Sequence, residues 1–435
     1  MSTEHTGTPH TPGAPGRPPA VRGLSLRPFR AARYHVDDQR LGRLLCPPYD
    51  VIDETDRARM LAADECNAVR LILPQSRAGG DAYQQAADDL DGWISTGLMR
   101  VDAQPALYVY EMATPTGGVT RGLMGSLELR DYDDGVILPH ENTMAGPVAD
   151  RLALMTATHA DLEPIYLVYD GGGPASASVL DASSRPPIAE TTTPDGTTHR
   201  LWGITDPSVH EAVAADLNPR RALIADGHHR YATYLELQRR CRAARGPGAW
   251  DCGLALLVDS SSYGPQVHAI HRVLNGVPID RAIMQVARHA HMTSVPSAVD
   301  GLAGAGSVQG FAAVLTDGQR HVLIAEPLTG IPETVPSAAD PAALLELDVV
   351  VLHRQLLGPV WGLADTAETV GYAHDVDEAV ALAQASGGTA VLLRPTPVTA
   401  VAAIAGAGAR MPRKSTLFTP KPATGIVIRR FHDQT

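Results

Sequence analysis

Asp226-Gly227-His228-His229-Arg230 places a carboxylate, two imidazoles and a guanidinium within five consecutive residues, directly after the short apolar run Ala222-Leu223-Ile224-Ala225. The run reads as a strand and the residues through Arg242 as a helix, so the polar group stands where a strand gives way to a helix. Gly227 lets the backbone approach a ligand closely. The first amides of the helix and its dipole suit an anion, and His228, His229 and Arg230 add donors for phosphate oxygens. A phosphate site is the expectation, against the plainer reading of a helix cap with exposed polar residues. A zinc site would need distant ligands, since the chain has no HExxH.

Pro139-His140-Glu141-Asn142-Thr143 is the second candidate, at the end of the strand-like run Gly135–Leu138. Glu141 is suited to act as a general base toward a hydroxyl, although a lone His-Glu pair is as readily surface decoration. Pro47 and Pro48 fix an extended or turning backbone that brings Tyr49 and Asp50 to a loop, where they are candidates to line the same cleft. Asp150-Arg151 reads as an ion pair or helix cap. His271-Arg272 is a candidate phosphate contact. The chain's only lysines, Lys414 and Lys421, lie in one segment, Arg413–Pro422. That clustering suggests ammonium groups closing over a phosphate or carboxylate, with a solvated basic loop as the alternative. His353 and His374 are given no role.

The rest of the composition narrows the classes. The chain has 435 residues, 44% hydrophobic and 19% charged, enough for two or three domains and a sizeable core. A net charge of −12 with no long basic run argues against binding nucleic acid or anionic membranes. No GxxxxGK[ST] occurs, which excludes a P-loop NTPase. Cys46, Cys66, Cys241 and Cys252 form no CxxC and read as buried thiols of a reducing compartment. The N-terminus lacks a secretory h-region, and the longest apolar run, Val398–Ala409, is too short to span a bilayer. A cytoplasmic location is expected.

Residues 1–23, rich in Pro, Gly and Thr, are expected to be a disordered tail. Helices are expected from Asp53, over Asp81–Thr96, at about 208–217 and after Gly227. A hairpin is expected between Leu107–Tyr110 and Leu123–Leu129 around Gly117-Gly118, and a buried strand at Ile165–Tyr169. Residues 171–200 read as a polar insertion or loop excursion. Beyond residue 276 the Ala/Val-rich chain predicts a hairpin (Ala312–Leu315, His321–Ala325), helices at Ala342–Leu357, Glu378–Ala385 and from Val398, and strands at Ala390–Leu393 and Gly425–Ile428. The expected organisation is therefore a catalytic domain over 24–275 and a smaller C-terminal domain over 276–435.

A PHE segment followed downstream by ADGHHR and a helix resembles the ParB/sulfiredoxin superfamily, in particular its free-serine kinases. Over residues 24–430 the chain also resembles the domain-of-unknown-function family "ten-fifteen", through Arg27-Pro28-Phe29, Pro48–Ile52, His140–Thr143, Asp150-Arg151, Ala225–Tyr231, His271-Arg272-Val273 and Met411–Thr416. The resemblance implies an α/β (α+β) fold with a ParB/sulfiredoxin-like core carrying insertions, plus a smaller C-terminal α/β domain. It implies a kinase that uses ATP or ADP with Mg²⁺ to phosphorylate a free amino acid, most simply L-serine. Carried over position by position, Glu141, Asp226 and His228 are catalytic, with Glu141 the base and Asp226 a substrate or Mg²⁺ contact. Gly227, His228, His229, Arg230, Arg272 and Lys414 hold phosphate and nucleotide, and His140, Tyr49 and Asp50 hold substrate. No metal-binding residues are expected beyond that contact. Small molecules are the expected partners, with no nucleic acid and no membrane. The alternative is a ParB-like nucleotide switch acting on a protein partner. Sulfinic-acid reduction is excluded by the missing cysteine beside His228, and two-metal nuclease chemistry by the missing acidic cluster. The kinase reading requires Glu141 and His228 within about 12 Å of each other.

Overall fold

A computed structural model describes residues 23–77, 79–331 and 340–434. Residues 1–22 of the expected tail lie outside the described residues. Gly23, its last residue, is ordered: it is buried, and its amide donates to the Asn218 carbonyl at 2.6 Å.

The class is α/β, as expected, built around a nine-stranded mixed sheet. Its strands are β1 (Leu26–Arg27), β2 (Leu107–Ala113), β3 (Val119–Glu128), β4 (Ile137–Leu138), β5 (Ile165–Tyr169), β6 (Ala189–Thr192), β7 (Thr198–Ile204), β8 (Ala222–Asp226) and β9 (Cys252–Asp259). They run in the order β4-β8-β5-β9-β3-β2-β7-β6, with β1 alongside β3. Alternation along the strands gives each face its own core. Tyr108, Tyr110, Met112, Leu254 and Leu256 point to one, and Leu107, Val109, Ala255 and Leu257 to the other. A sheet buried on both faces accounts for the near-continuous apolar runs of β5 and β9.

Several helices follow their sequence signals closely. Helix α1 (Ala82–Ser95) starts at Asp81, whose carboxylate caps the amides of Tyr83 and Gln84. Helix α2 (Ala145–Thr158) carries Asp150 and Arg151 in its interior, where they form the ion pair rather than a cap. Residues 171–200 differ from expectation. They form helix α3 (Gly173–Ser183), strand β6 and the start of β7, which completes an edge of the main sheet. Their Ser, Thr, Gly and Pro content reads as loop, but an edge strand with one solvated face tolerates such residues. Helix α4 (His228–Arg245) follows β8 through Gly227, whose φ of 95° is left-handed backbone. A Cβ there would also meet the Arg230 guanidinium at 3.1 Å.

A second, six-stranded sheet contains β10 (His271–Leu274), β11 (His291–Ser294), β12 (Ala312–Thr316), β13 (His321–Ala325), β14 (Val370–Ala373) and β15 (Thr389–Leu393), in the order β11-β13-β12-β15-β10-β14. The hairpin of β12 and β13 is as expected. The single helix expected over Ala342–Leu357 is instead Ala342–Leu345 and Asp348–Val351, followed by a wider turn over Leu352–Leu357. Sheet membership changes over between Asp259 and His271 rather than after 275, because His271–Leu274 is a central strand of the second sheet. The chain then returns to the first sheet. Ile428 bridges Ala32, and Arg429–Arg430 pair with Ala160–Asp161, so the last strand lies slightly beyond the expected Gly425–Ile428. Among the described residues no helix is long and apolar enough to cross a membrane.

The returning segment is locked by a buried ion pair. Arg429 Nη1 lies 2.7 Å from Asp161 Oδ2, both side chains being 2% exposed or less, and also donates to the Cys252 carbonyl. Burial raises the Asp161 carboxyl pKa even with this guanidinium beside it, so removing the cation leaves a buried carboxylate without compensation. Arg429→Met is expected to lower unfolding stability by ~3–5 kcal/mol. Urea denaturation followed by tryptophan fluorescence measures it, and a loss below ~1 kcal/mol would show that the pair does not anchor the segment.

Candidate active site

Strands β4 and β8 are neighbours and parallel, with Ile137 opposite Ala222 and Leu138 opposite Leu223. Two parallel strands end on the same side, so His140-Glu141 and Asp226–Arg230 emerge together although 84 residues of chain separate Glu141 from Ala225. The site opens as a cleft of about 320 Å³ where these strand ends meet the second sheet and the returning C-terminal segment. All of the sequence-expected residues line it except Arg272: Tyr49, Asp50, His140, Glu141, Asp226, Gly227, His228, His229, Arg230 and Lys414. Asn142, Met144, Tyr372, His374, Arg413 and Lys421 line it too.

The two motifs are stapled together by imidazoles. The His140 amide donates to His228 Nε2 at 3.2 Å, and the Met144 amide donates to His229 Nε2 at 3.1 Å. Sequence reasoning treated these rings as phosphate donors, yet here one nitrogen of each accepts a backbone proton from the segment that carries Glu141. The His140 and His228 rings also meet edge-on with centroids 4.5 Å apart. Burial lowers both their pKa values, that of His140 to about 4 and that of His228 well below the usual imidazole value, with Arg410 adding to the shift of His140 and the neighbouring His140 ring to that of His228. Both rings are therefore neutral at physiological pH. His140 Nε2 lies 2.9 Å from Thr416 Oγ1 and 4.0 Å from Glu141 Oε1.

Glu141 is a carboxyl of the cleft whose pKa is raised. Desolvation pushes its pKa up to about 7, opposed by the Ser415 amide, which donates to Oε1 at 3.3 Å, and by the positive charges of Arg272 and Lys421. The first amides of α4 carry no side-chain cap, and His228, His229 and Arg230 offer their N–H groups at its N-terminus. Lys414 is exposed at the mouth with φ 51°, its Nζ 5.7 Å from the Tyr372 ring centre.

Arg230 and Arg272 are placed differently from expectation. Arg230 is 2% exposed and pairs with Asp226 and the Pro164 carbonyl, so it braces the Asp226 carboxylate from behind. Arg272 lies behind the cleft wall and holds the carbonyls of Ile270, Arg413 and Lys414. Tyr49 is fixed by Arg151 stacked at 4.4 Å and by its own amide donating to the buried Glu163.

Of the two lysines that the sequence groups in one segment, Lys421 is the one that closes over carboxylates, a role the sequence does not assign to it individually. Its ammonium sits 2.7 Å from Asp226 Oδ1 and 2.8 Å from Asp50 Oδ2, mostly buried, and joins three distant segments. Burial alone would raise the Asp226 pKa, but the Lys421 ammonium and the Arg230 guanidinium more than offset it and hold it at about 2. The signal that points to Lys421 is the scarcity of lysine itself. Arg413 shares the Met411–Thr416 motif with Lys414, whereas Tyr372 and His374 carry no such signal and only the fold brings them here.

Residues 26–350 match the family described as "Protein of unknown function (DUF1015)", and the chain belongs to that family. A comparison with curated proteins finds no match. Among solved structures, a point mutant of a free serine kinase in complex with AMP is 12% identical, with 68% of this chain and 87% of that chain covered and a TM-score of 0.36. A second free serine kinase mutant, in complex with ADP, is 14% identical over 71% of this chain and 90% of that one, at the same TM-score. A conserved hypothetical protein from Pyrococcus furiosus is 15% identical, covering 72% and 97%, again with a TM-score of 0.36.

The Asp226 carboxyl sits below its unfolded value of 3.8. Its stabilising contribution is thus present above pH 4 and lost as pH falls toward 2. Lys421→Met is expected to cost about 2 kcal/mol at pH 7, with the gap from the unsubstituted protein closing between pH 4 and pH 2. Denaturant titrations across that range measure it, and a gap independent of pH would count against the ion triplet as its source.

Proposed function

We propose that this protein is a nucleotide-dependent kinase phosphorylating the hydroxyl of a free amino acid, most simply L-serine to O-phosphoserine, with ATP or ADP as donor. The observation that carries the reading is Glu141, a carboxyl tuned to about 7 in a cleft between the open N-terminus of α4 and the Lys414 turn. The motif resemblance to free-serine kinases supports the same assignment.

In this reading Glu141 accepts the hydroxyl proton as the substrate oxygen bonds to phosphorus and the bond from phosphorus to the nucleotide's leaving oxygen breaks. A base near neutrality balances the ionised fraction against proton affinity. The α4 amides, Lys414 and Arg413 neutralise the transferring phosphoryl group. His228 and His229 act through the backbone they hold, which fixes Glu141 relative to α4. Tyr49, Asp50 and His140 border the substrate, and Asp226 orders the floor with Lys421.

Mg²⁺ would supply charge neutralisation on the nucleotide phosphates. Among the described residues no group of three or more His, Cys, Asp or Glu side chains is placed to hold a metal, and an ammonium already occupies the space between Asp50 and Asp226. These carboxylates do not fit a protein-held Mg²⁺, and no step is assigned to one.

Glu141→Gln is expected to reduce serine-dependent phosphoryl transfer by roughly 10²–10⁴-fold while nucleotide binding persists. Phosphorus NMR with nucleotide and L-serine reads the phosphomonoester directly, and transfer undiminished in the variant rules the mechanism out. Because the base works ionised, the rate of the unsubstituted enzyme should climb with pH and level off above about 7. Nucleotide binding with no acceptor-dependent turnover would instead favour a regulatory switch.

A further inference from the structure

Arg272 is a buried cation that no carboxylate among the described residues pairs with directly; Asp365 and Glu141 act on it only from a distance. The side chain is fully buried on β10, and each of its contacts is to an uncharged acceptor. Nη1 donates to the carbonyls of Ile270 at 2.6 Å and Lys414 at 2.8 Å, Nη2 to that of Arg413 at 3.0 Å, and Nε to His353 Nε2 at 3.2 Å. Tyr372 covers the guanidinium at 4.9 Å. Among the described residues no carboxylate pairs with it, an expensive arrangement for a buried cation. Burial accordingly depresses its pKa to about 10.

Two of the three carbonyls it grips belong to the residues before Ser415, whose amide donates to Glu141 Oε1. Lys414 lies in left-handed backbone within that grip, a conformation a lysine adopts only when its surroundings impose it. We propose that Arg272 is a positioning residue: from the second sheet it clamps the Arg413-Lys414 turn so that the Ser415 amide stands against Glu141, and its own charge favours the ionised carboxylate. The second sheet thereby acquires a role, which is to set the base of a site built mainly on the first. The inference rests on the functional reading only in treating Glu141 as the group that matters.

The other charged or titratable groups that act on Glu141 are His140 on its own strand end, Asp226 from β8 and Lys421 from the returning segment, while neutral His228 and the Lys414 ammonium line the same cleft. Unlike them, Arg272 comes from the second sheet's strands, and it acts on Glu141 both through the Ser415 turn and through its charge. Arg272→Gln removes both the clamp and the charge, whereas Arg272→Lys keeps the charge and loses the fork.

The test uses the full chain with carboxyl-labelled glutamate, Glu141 being assigned by the signal missing in Glu141→Gln. Its NMR titration midpoint should rise by ~1 unit in Arg272→Gln and stay near the unsubstituted value in Arg272→Lys. Amide deuterium uptake over residues 413–416 should quicken about tenfold in both. If a reaction is assayed, the lower limb of its pH–rate profile should move with the NMR midpoint. An unmoved midpoint in Arg272→Gln, or unchanged exchange over 413–416, overturns the proposal whatever the reaction. Shifted midpoints without serine phosphorylation would sink the kinase reading and leave this one standing. Should Arg272→Gln not fold, exchange in Arg272→Lys decides alone: unchanged uptake overturns the clamp, and faster uptake supports it.

Discussion

The parallel pairing of two short strands, Ile137–Leu138 against Ala222–Leu223, is the constraint on which the site depends. Only a parallel register delivers the ends of both strands to one side, with the glutamate of one facing the helix that follows the other. An antiparallel arrangement would put Glu141 and Asp226 at opposite edges of the sheet. The pairing is only two residues long, and the hydrogen bonds that the His140 and Met144 amides donate to the His228 and His229 imidazoles extend it beyond the last strand residue. They do for the loop what ladder hydrogen bonds do for the strands.

The electrostatics follow the same geometry. Burial at the strand ends raises the Glu141 carboxyl and keeps the His140 and His228 rings neutral, because neither acid nor base can keep its water there. Asp226, in the same cleft, goes the opposite way because two cations reach it. Two carboxyls in one cleft thus occupy different protonation regimes, set by which of them receives a cation.

Much of this was legible in the sequence. The position of Asp226–Arg230 between strand and helix, the turn that presents Tyr49 and Asp50, and the strand ending at His140 all follow from local patterns, which short-range sterics and solvation decide. The misreadings have a common origin in non-local partners. The segment 171–200 looks like loop because an edge strand lacks a strong apolar signature. Arg272 looks like a phosphate ligand because composition counts donors without saying that backbone carbonyls will take them. His228 and His229 present the same difficulty, since an imidazole either donates or accepts and only its neighbour decides. Lys421 was visible as a rarity, but its two carboxylate partners lie hundreds of residues away in one case and in an unrelated motif in the other.

The returning C-terminal segment has a consequence for the order in which the molecule is made. A chain emerging from the ribosome exposes Asp50, Glu141 and Asp226 long before the residues around 413–421 exist. Until then the floor of the cleft is a set of acidic groups without their ammonium, and the turn that approaches Glu141 has not been synthesised. The final strand, held by the Arg429–Asp161 pair, then closes the barrel of contacts around Ala32 and Ala160. Of the segments that line the cleft, the one around 413–421 is therefore made last, and a chain cut short before it would carry the strand-end motifs without that wall.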